Sequence, residues 1–191
     1  MFVDTQREQH CCDDIDNFPL DKFFQKGKNR GERLLIVGES PAENGWRKTG
    51  KACYSPEGRL LATGARLNEL LEEFGLNVED CGFTELSKCF LGKNRKKLDE
   101  CCRKCWPILL KQLLGTEYRL IITLGVVTAK IFGELAGKDL EIGKSAIIEL
   151  ADKTRTVLPI YHPSPINPWG RERNRKIFAK YRVEIGECIN N

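Results

Sequence analysis

The alternation of short apolar runs with longer stretches of helical periodicity constrains this chain most strongly. Arg33–Val37 and Leu120–Leu124 are short, mainly apolar runs that each end at a glycine, which is typical of buried parallel strands. Cys81–Leu86 and Thr156–Tyr161 are predicted as two further strands. The spacing of apolar residues predicts helices over Leu60–Phe74, Trp106–Leu114, Thr128–Leu135 and Asn174–Ile185. Strands that alternate with helices over short links predict an α/β fold with a mainly parallel sheet.

The composition is that of an ordinary globular chain. Of its 191 residues, 41% are hydrophobic and 30% are charged, and the net charge is +4. We see no repeat, low-complexity tract or linker, so one domain over residues 1–191 is expected. The longest apolar run, Leu120–Val127, is too short for a membrane helix, and the N-terminal residues do not resemble a signal peptide. We therefore expect a cytoplasmic protein without a membrane partner, whose acidic partners would meet a local basic patch.

The nine cysteines are more than a cytosolic chain usually carries. They are either buried structural thiols or metal ligands, and their polar surroundings favour ligands. Zinc and an iron–sulfur cluster are both chemically possible at this stage, and Cys102-x-x-Cys105 is by itself a weak motif. The cysteines in polar stretches are Cys11, Cys12, Cys89, Cys101, Cys102 and Cys105.

Polar residues directly follow three predicted strands. Glu39 follows the first strand, Glu85 ends the second, and His162 follows the last. Each has an ordinary structural explanation: a charge at a helix N-terminus, a solvated edge residue and a packed core histidine. Because the carboxyl ends of parallel strands meet at one edge of a sheet, we expect the three side chains to converge in a single crevice.

Several motifs resemble those of the uracil-DNA glycosylase superfamily, most closely its iron–sulfur family 4. Gly38-Glu39-Ser40-Pro41 is similar to the Gly-Glu-x-Pro motif, and His162-Pro163-Ser164 is similar to the His-Pro-Ser motif. Cys89 and Cys105 have the spacing of the family's last two cluster cysteines. The resemblance extends from about residue 11 to 180.

The resemblance implies a three-layer α/β/α fold and hydrolysis of the N-glycosidic bond of uracil, or a related deaminated base, in DNA for base excision repair. It implies a 4Fe-4S cluster, with zinc as the alternative. The partner would be DNA containing a damaged base, bound by a monomer. The implied metal ligands are Cys12, Cys89, Cys102 and Cys105, with Cys11 and Cys101 as alternatives to Cys12 and Cys102.

The resemblance also implies roles for residues at the strand ends. Glu39 and His162 would be catalytic, the carboxylate serving the sugar and its attacking water and the imidazole serving the departing base. Tyr54 is the predicted aromatic platform for the base, with core packing as the alternative explanation for this residue. The other predicted substrate-binding residues are Gly38, Ser40, Pro41, Ala42, Glu85 and Ser164.

The DNA contacts are predicted on the segment after His162. Ile166 lies in a loop, Pro165–Trp169, that could fill the gap left by an extruded nucleotide. Phosphate contacts are predicted for the basic cluster that follows it, although a solvated helix face is the simpler interpretation. The predicted DNA-binding residues are Ile166, Arg171, Arg173 and Arg175.

Three positions depart from the family pattern. Ala42 stands where family 4 has glycine, and adjacent Cys11-Cys12 replaces an N-terminal Cys-x-x-Cys. Glu85 stands where the family has an asparagine that reads the uracil edge. An ionised carboxylate can accept a hydrogen bond from uracil N3–H but cannot donate one to O4. A glycosylase is therefore the first hypothesis, a non-catalytic nucleic-acid-binding module the second, and a zinc-binding regulatory protein a distant third.

Overall fold

A six-stranded sheet organises the chain in a computed structural model that describes residues 16–42, 45–92 and 95–190. The strands are β1 Phe24–Gln25, β2 Leu34–Gly38, β3 Gly82–Glu85, β4 Leu120–Leu124, β5 Ala146–Leu150 and β6 Lys153–Ile160. They lie in the order β1-β3-β2-β4-β6-β5. The pairs β3-β2, β2-β4 and β4-β6 are parallel, whereas β1 and β5 pair antiparallel at the two edges. The mainly parallel sheet that the sequence predicted is confirmed.

Helices cover both faces of this sheet. Because neighbouring strand residues point to opposite faces, Leu34 and Ile36 pack with the helices on one face of the sheet, whereas Leu35 and Val37 pack with those on the other. The three-layer α/β/α arrangement is thus confirmed. In the described part of the chain, no helix combines the length and apolar character needed to cross a membrane. The helices are α1 Trp46–Thr49, α2 Ala62–Leu71, α3 Leu98–Leu113, α4 Val126–Ala136, α5 Pro168–Lys180 and α6 Arg182–Asn190, with 3₁₀ turns at Asn29–Arg33, Glu72–Phe74 and Arg95–Lys97.

The cysteine-rich stretch is a helix, so the predicted start of α3 at Trp106 is wrong. The helix begins at Leu98, and Pro107 lies inside it. Proline in a helix interior typically costs about 3 kcal/mol, and the buried face of α3 offsets this cost. That face has helical spacing only when cysteine is counted as apolar. Its buried residues are Leu98, Cys101, Cys102, Cys105, Ile108, Leu109, Gln112 and Leu113.

The predicted helix over Asn174–Ile185 is two helices, α5 and α6, which meet at Tyr181. The first of them begins at Pro168, where proline is tolerated because the first-turn N–H has no partner within the helix. The side-chain oxygen of Asn167 caps this end by accepting a hydrogen bond from the Gly170 amide at 3.1 Å. The helix therefore starts close to the end of β6 and fixes the loop between them.

Candidate active site

A cavity of about 580 Å³ lies at the carboxyl ends of the parallel strands. Glu39, Glu85 and His162 all contribute to its wall, as expected from their positions after β2, β3 and β6. The amino end of α4 also borders it, through Gly125 and Val126. The predicted site residues that line this cavity are Gly38, Glu39, Ser40, Ala42, Glu85, His162, Ser164 and Ile166.

The backbone at Glu39 is held by hydrogen bonds that continue the pairing of β2 with β3 beyond the ends of the two strands. The amide of Ser87 donates to the carbonyl oxygen of Glu39, and the amide of Leu86 donates to that of Gly38, both at 2.9 Å. The Glu39 carboxylate accepts a hydrogen bond from the Arg95 guanidinium at 2.5 Å. Arg95 also lines the cavity. No spacing pattern in the sequence predicts its contact with Glu39, because the two residues lie far apart in the chain.

His162 is positioned by residues on two helices. Buried Asn174 of α5 bonds both the amide and the carbonyl oxygen of Tyr161, at 3.0 and 2.8 Å. Arg66 of α2 donates to the carbonyl oxygen of Ser164 at 2.6 Å. Gly125 has a φ of +100°, and a Cβ at this position would lie 3.3 Å from the Cβ of His162. These contacts fix the histidine loop from both sides.

The His162 ring is open to the cavity, and the surrounding protein still removes part of its hydration. This desolvation lowers the pKa of His162 below its ordinary value of 6.5, against the opposing effect of the Glu39 charge. The imidazole is therefore neutral at neutral pH. A neutral imidazole can still donate one N–H bond to a base oxygen.

Glu85 lies deep in the cavity wall, beside Gly38. Its Oε2 atom is buried and has no hydrogen-bond partner in the described part of the chain. A Cβ on Gly38 would overlap this carboxyl group, so an alanine there would displace it. Burial raises the pKa of Glu85 to about 8, with nearby Lys88 opposing the rise and Glu39 adding to it. Glu85 is therefore mainly a neutral carboxylic acid at neutral pH.

Lys88 ties the end of β3 to α3. The residue is 3% exposed, and its ammonium donates hydrogen bonds to the hydroxyl of Thr84, the carbonyl oxygen of Glu85 and the side-chain oxygen of Gln112, at 2.5, 2.7 and 2.8 Å. A buried ammonium needs such partners because it has lost its hydration. The network fixes the backbone on which Glu85 stands.

Two predicted substrate contacts, Pro41 and Tyr54, are not among the described residues that line the cavity. The Tyr54 hydroxyl donates to Glu79 at 2.6 Å, and the Lys51 ammonium lies 3.9 Å from the ring centroid. Phe83 does line the cavity. It could have been found from the sequence, because it stands two residues before Glu85 on the predicted strand and so shares its face.

Cys89 and Cys105 lie together in a small buried cluster with Phe18 and Leu91. The Lys88 amide donates to the Cys105 sulfur at 3.2 Å, a contact of the kind that stabilises cluster-bound thiolates. Cys102 instead packs in the core between α3 and the sheet. Burial raises the pKa of the Cys102 thiol, and the charge of a neighbouring Cys105 thiolate raises it further. Cys11 and Cys12 lie outside the described residues, and within the described ranges no three His, Cys, Asp or Glu side chains form a metal-binding group.

The predicted DNA-binding residues occupy different surfaces. Ile166 is 91% exposed at the rim of the cavity. Arg171 makes two hydrogen bonds of 2.8 Å to Glu69 of α2, and Arg175 contacts the same carboxylate at 3.4 Å. Arg173 lies on another side of α5, with its guanidinium 5.2 Å from the Tyr161 ring centroid. The structure therefore brings Arg171 and Arg175 together and separates Arg173 from them.

Comparisons with known proteins agree with this arrangement. A family model described as the uracil DNA glycosylase superfamily matches residues 24–185. A type-4 uracil-DNA glycosylase of Archaeoglobus fulgidus is 31% identical over 83% of this chain and 78% of its own length. Proteins of the same name from Pyrobaculum aerophilum and Thermotoga maritima are 29% and 32% identical. They match 86% and 71% of this chain, and 85% and 67% of their own lengths.

Proposed function

This chain belongs to the uracil-DNA glycosylase superfamily, and on that basis we propose that it hydrolyses the N-glycosidic bond that joins uracil to deoxyribose in DNA. The observation that carries this proposal is that Glu39 and His162 share one cavity at the strand ends. A carboxylate and a neutral imidazole match the two charges that develop as the bond breaks. The products are free uracil and an abasic site.

Glu39 acts on the sugar side of the bond. As the bond lengthens, the sugar gains positive charge, which a carboxylate stabilises, and the same carboxylate orients the attacking water. The contact with Arg95 keeps the carboxylate at a fixed place on the cavity wall. Because Arg95 is 60% exposed, it also lies within reach of solvent and of a bound phosphate.

His162 acts on the base side of the bond. The departing uracil carries negative charge on its ring oxygens, and a neutral imidazole N–H stabilises it by donating a hydrogen bond. Phe83 supplies an aromatic face in the cavity, and exposed Ile166 supplies an apolar wedge at its rim. The extruded base thus enters a cavity in which a hydrogen-bond donor is already placed to stabilise the negative charge of the departing uracil.

We propose that Cys89 and Cys105 are ligands of an iron–sulfur cluster. Their shared pocket and the amide hydrogen bond to Cys105 fit soft thiolate ligation. Phe18 packs against this pocket and follows Cys12 closely in the chain, which supports Cys12 as a further ligand. Cys102 completes the proposed set and needs a change of side-chain position to join it. When bound, the cluster supplies a structural cross-link between the N-terminal segment and α3.

The test of the proposed function is release of free uracil from a single-site oligonucleotide. We expect wild-type protein to produce uracil and an alkali-labile abasic site from single- or double-stranded DNA. A matched oligonucleotide with thymine at the same position should stay intact. Binding to uracil-containing DNA without any cleavage would contradict the proposal.

A further inference from the structure

Glu85 presents a problem that the proposed function alone does not solve. It lines the cavity at the end of β3, where the base would bind, yet an ionised carboxylate offers only hydrogen-bond acceptors. Uracil presents a donor, N3–H, beside an acceptor, O4. A carboxylate at this position would accept a hydrogen bond from N3–H but would repel O4.

The surroundings of Glu85 are unsuited to an anion. Oε2 is buried and has no hydrogen-bond partner within the described ranges. The Lys88 ammonium, the cation that favours the ionised form of Glu85, donates hydrogen bonds to the Thr84 hydroxyl, the Glu85 carbonyl oxygen and the Gln112 amide oxygen, and it does not bond to Oε2. Glu39 adds a second negative charge nearby. Burying an unpaired carboxylate is costly, and protonation removes that cost.

This inference rests on the proposed function. We propose that Glu85 acts as a neutral carboxylic acid that reads the lactam edge of the base, accepting a hydrogen bond from the ring N–H and donating one to the adjacent carbonyl oxygen. The terminal torsion of a glutamate side chain is soft, so the buried oxygen can turn toward a bound base and find the partner it lacks. Deamination creates this edge by replacing an amino group with a carbonyl oxygen.

The same hydrogen bond assists the reaction. Negative charge on the departing uracil spreads over both carbonyl oxygens, and His162 serves one of them. A carboxylic acid at O4 donates to the other, so Glu85 stabilises the leaving group as well as selecting it. When Glu85 loses its proton, the donor disappears and a like charge faces the oxygen.

Activity on uracil should therefore fall as Glu85 ionises. Among the other titratable groups that face it, His162 has a lowered pKa and Cys53 has a pKa raised to about 12. Neither of these two changes charge between pH 7 and 9.5. The remaining charged groups near Glu85 are Glu39 with its partner Arg95, and Lys88.

The experiment compares wild type with Glu85→Gln, which keeps the length of the side chain and carries a donor and an acceptor at every pH. Single-turnover cleavage of a uracil oligonucleotide is measured from pH 6.5 to 9.5. We expect the ratio of wild-type to Glu85→Gln rate to fall about tenfold per pH unit above pH 8, as the fraction of neutral Glu85 falls. Glu72→Gln, which changes an exposed glutamate in the turn after α2, should follow the wild-type profile.

A rate ratio that stays constant across this range would overturn the inference and leave the proposed function standing. If Glu85→Gln does not fold, as judged by circular dichroism, Glu85→Asn replaces it and should give the same pH dependence of the ratio. If no protein releases uracil at any pH, the proposed function fails. The inference is then tested by measuring the binding of free uracil by calorimetry over the same pH range. The ratio of wild-type to Glu85→Gln affinity should fall above pH 8 as the rate ratio would. An affinity ratio that does not change with pH overturns the inference.

Discussion

Replacing Glu85 with glutamine should stabilise the protein by an amount that grows with pH. The pKa of Glu85 is about 8 in the folded chain, against an ordinary value of 4.5. Between these values the unfolded chain has lost a proton that the folded chain keeps. Each pH unit in this window therefore lowers the wild-type free energy of unfolding by about 1.4 kcal/mol relative to the variant. Over the whole window between the two pKa values, the difference in free energy of unfolding between the variant and wild type grows by roughly 4–5 kcal/mol. It levels off above pH 8.

Urea denaturation followed by tryptophan fluorescence measures this difference at pH 5, 6, 7, 8 and 9. All other titrating groups are shared by the two proteins, so subtracting their free energies of unfolding isolates the contribution of Glu85. Glu72→Gln serves as the surface control and should show no such trend. A difference between wild type and Glu85→Gln that does not change with pH would refute the protonated state assigned to Glu85.

Three further predictions concern the cluster, the DNA surface and the cavity wall. Cys89→Ala and Cys105→Ala should each lose iron and thermal stability together, and full iron content in both variants would contradict their role as ligands. Glu69→Gln should free Arg171 and so raise affinity for DNA of any sequence, with a salt-dependence slope steeper by about 1; an unchanged slope would mean that Arg171 does not face DNA. Gly38→Ala should lower the cleavage rate, since the added Cβ would displace the Glu85 carboxyl group, and a wild-type rate would disprove that close contact.

Much of the fold could be predicted because the central strands are buried on both faces. Leu120–Leu124 is predicted with its observed bounds, since a strand covered by helices on both faces is mainly apolar. The edge strands lack this signal, because β1 has only two residues and β5 has exposed residues between its buried ones. The start of α3 was missed because Pro107 suggested a helix start and the cysteines suggested a polar loop. Tertiary packing of the cysteine face overrode both signals.

The residues that line the candidate site at the strand ends could be predicted from the sequence, but their side-chain contacts and protonation states could not. Glu39, Glu85 and His162 were found because each follows a parallel strand, and topology brings such positions together. The contact between Glu39 and Arg95, and the pairing of Arg171 with Glu69, join residues far apart in the chain. No spacing pattern encodes such contacts. The protonation state of Glu85 depends on burial, which the residue type alone does not reveal.

The measurement that tests the central claim most directly is single-turnover cleavage of a uracil oligonucleotide by Glu39→Gln and His162→Ala, with DNA binding measured in parallel. Loss of the His162 donor should slow cleavage by roughly 10²–10³-fold. Glu39→Gln should bind DNA as wild type does and cleave it far more slowly, because the amide keeps the shape but not the charge. Wild-type cleavage rates in both variants would contradict the catalytic assignment of this cavity.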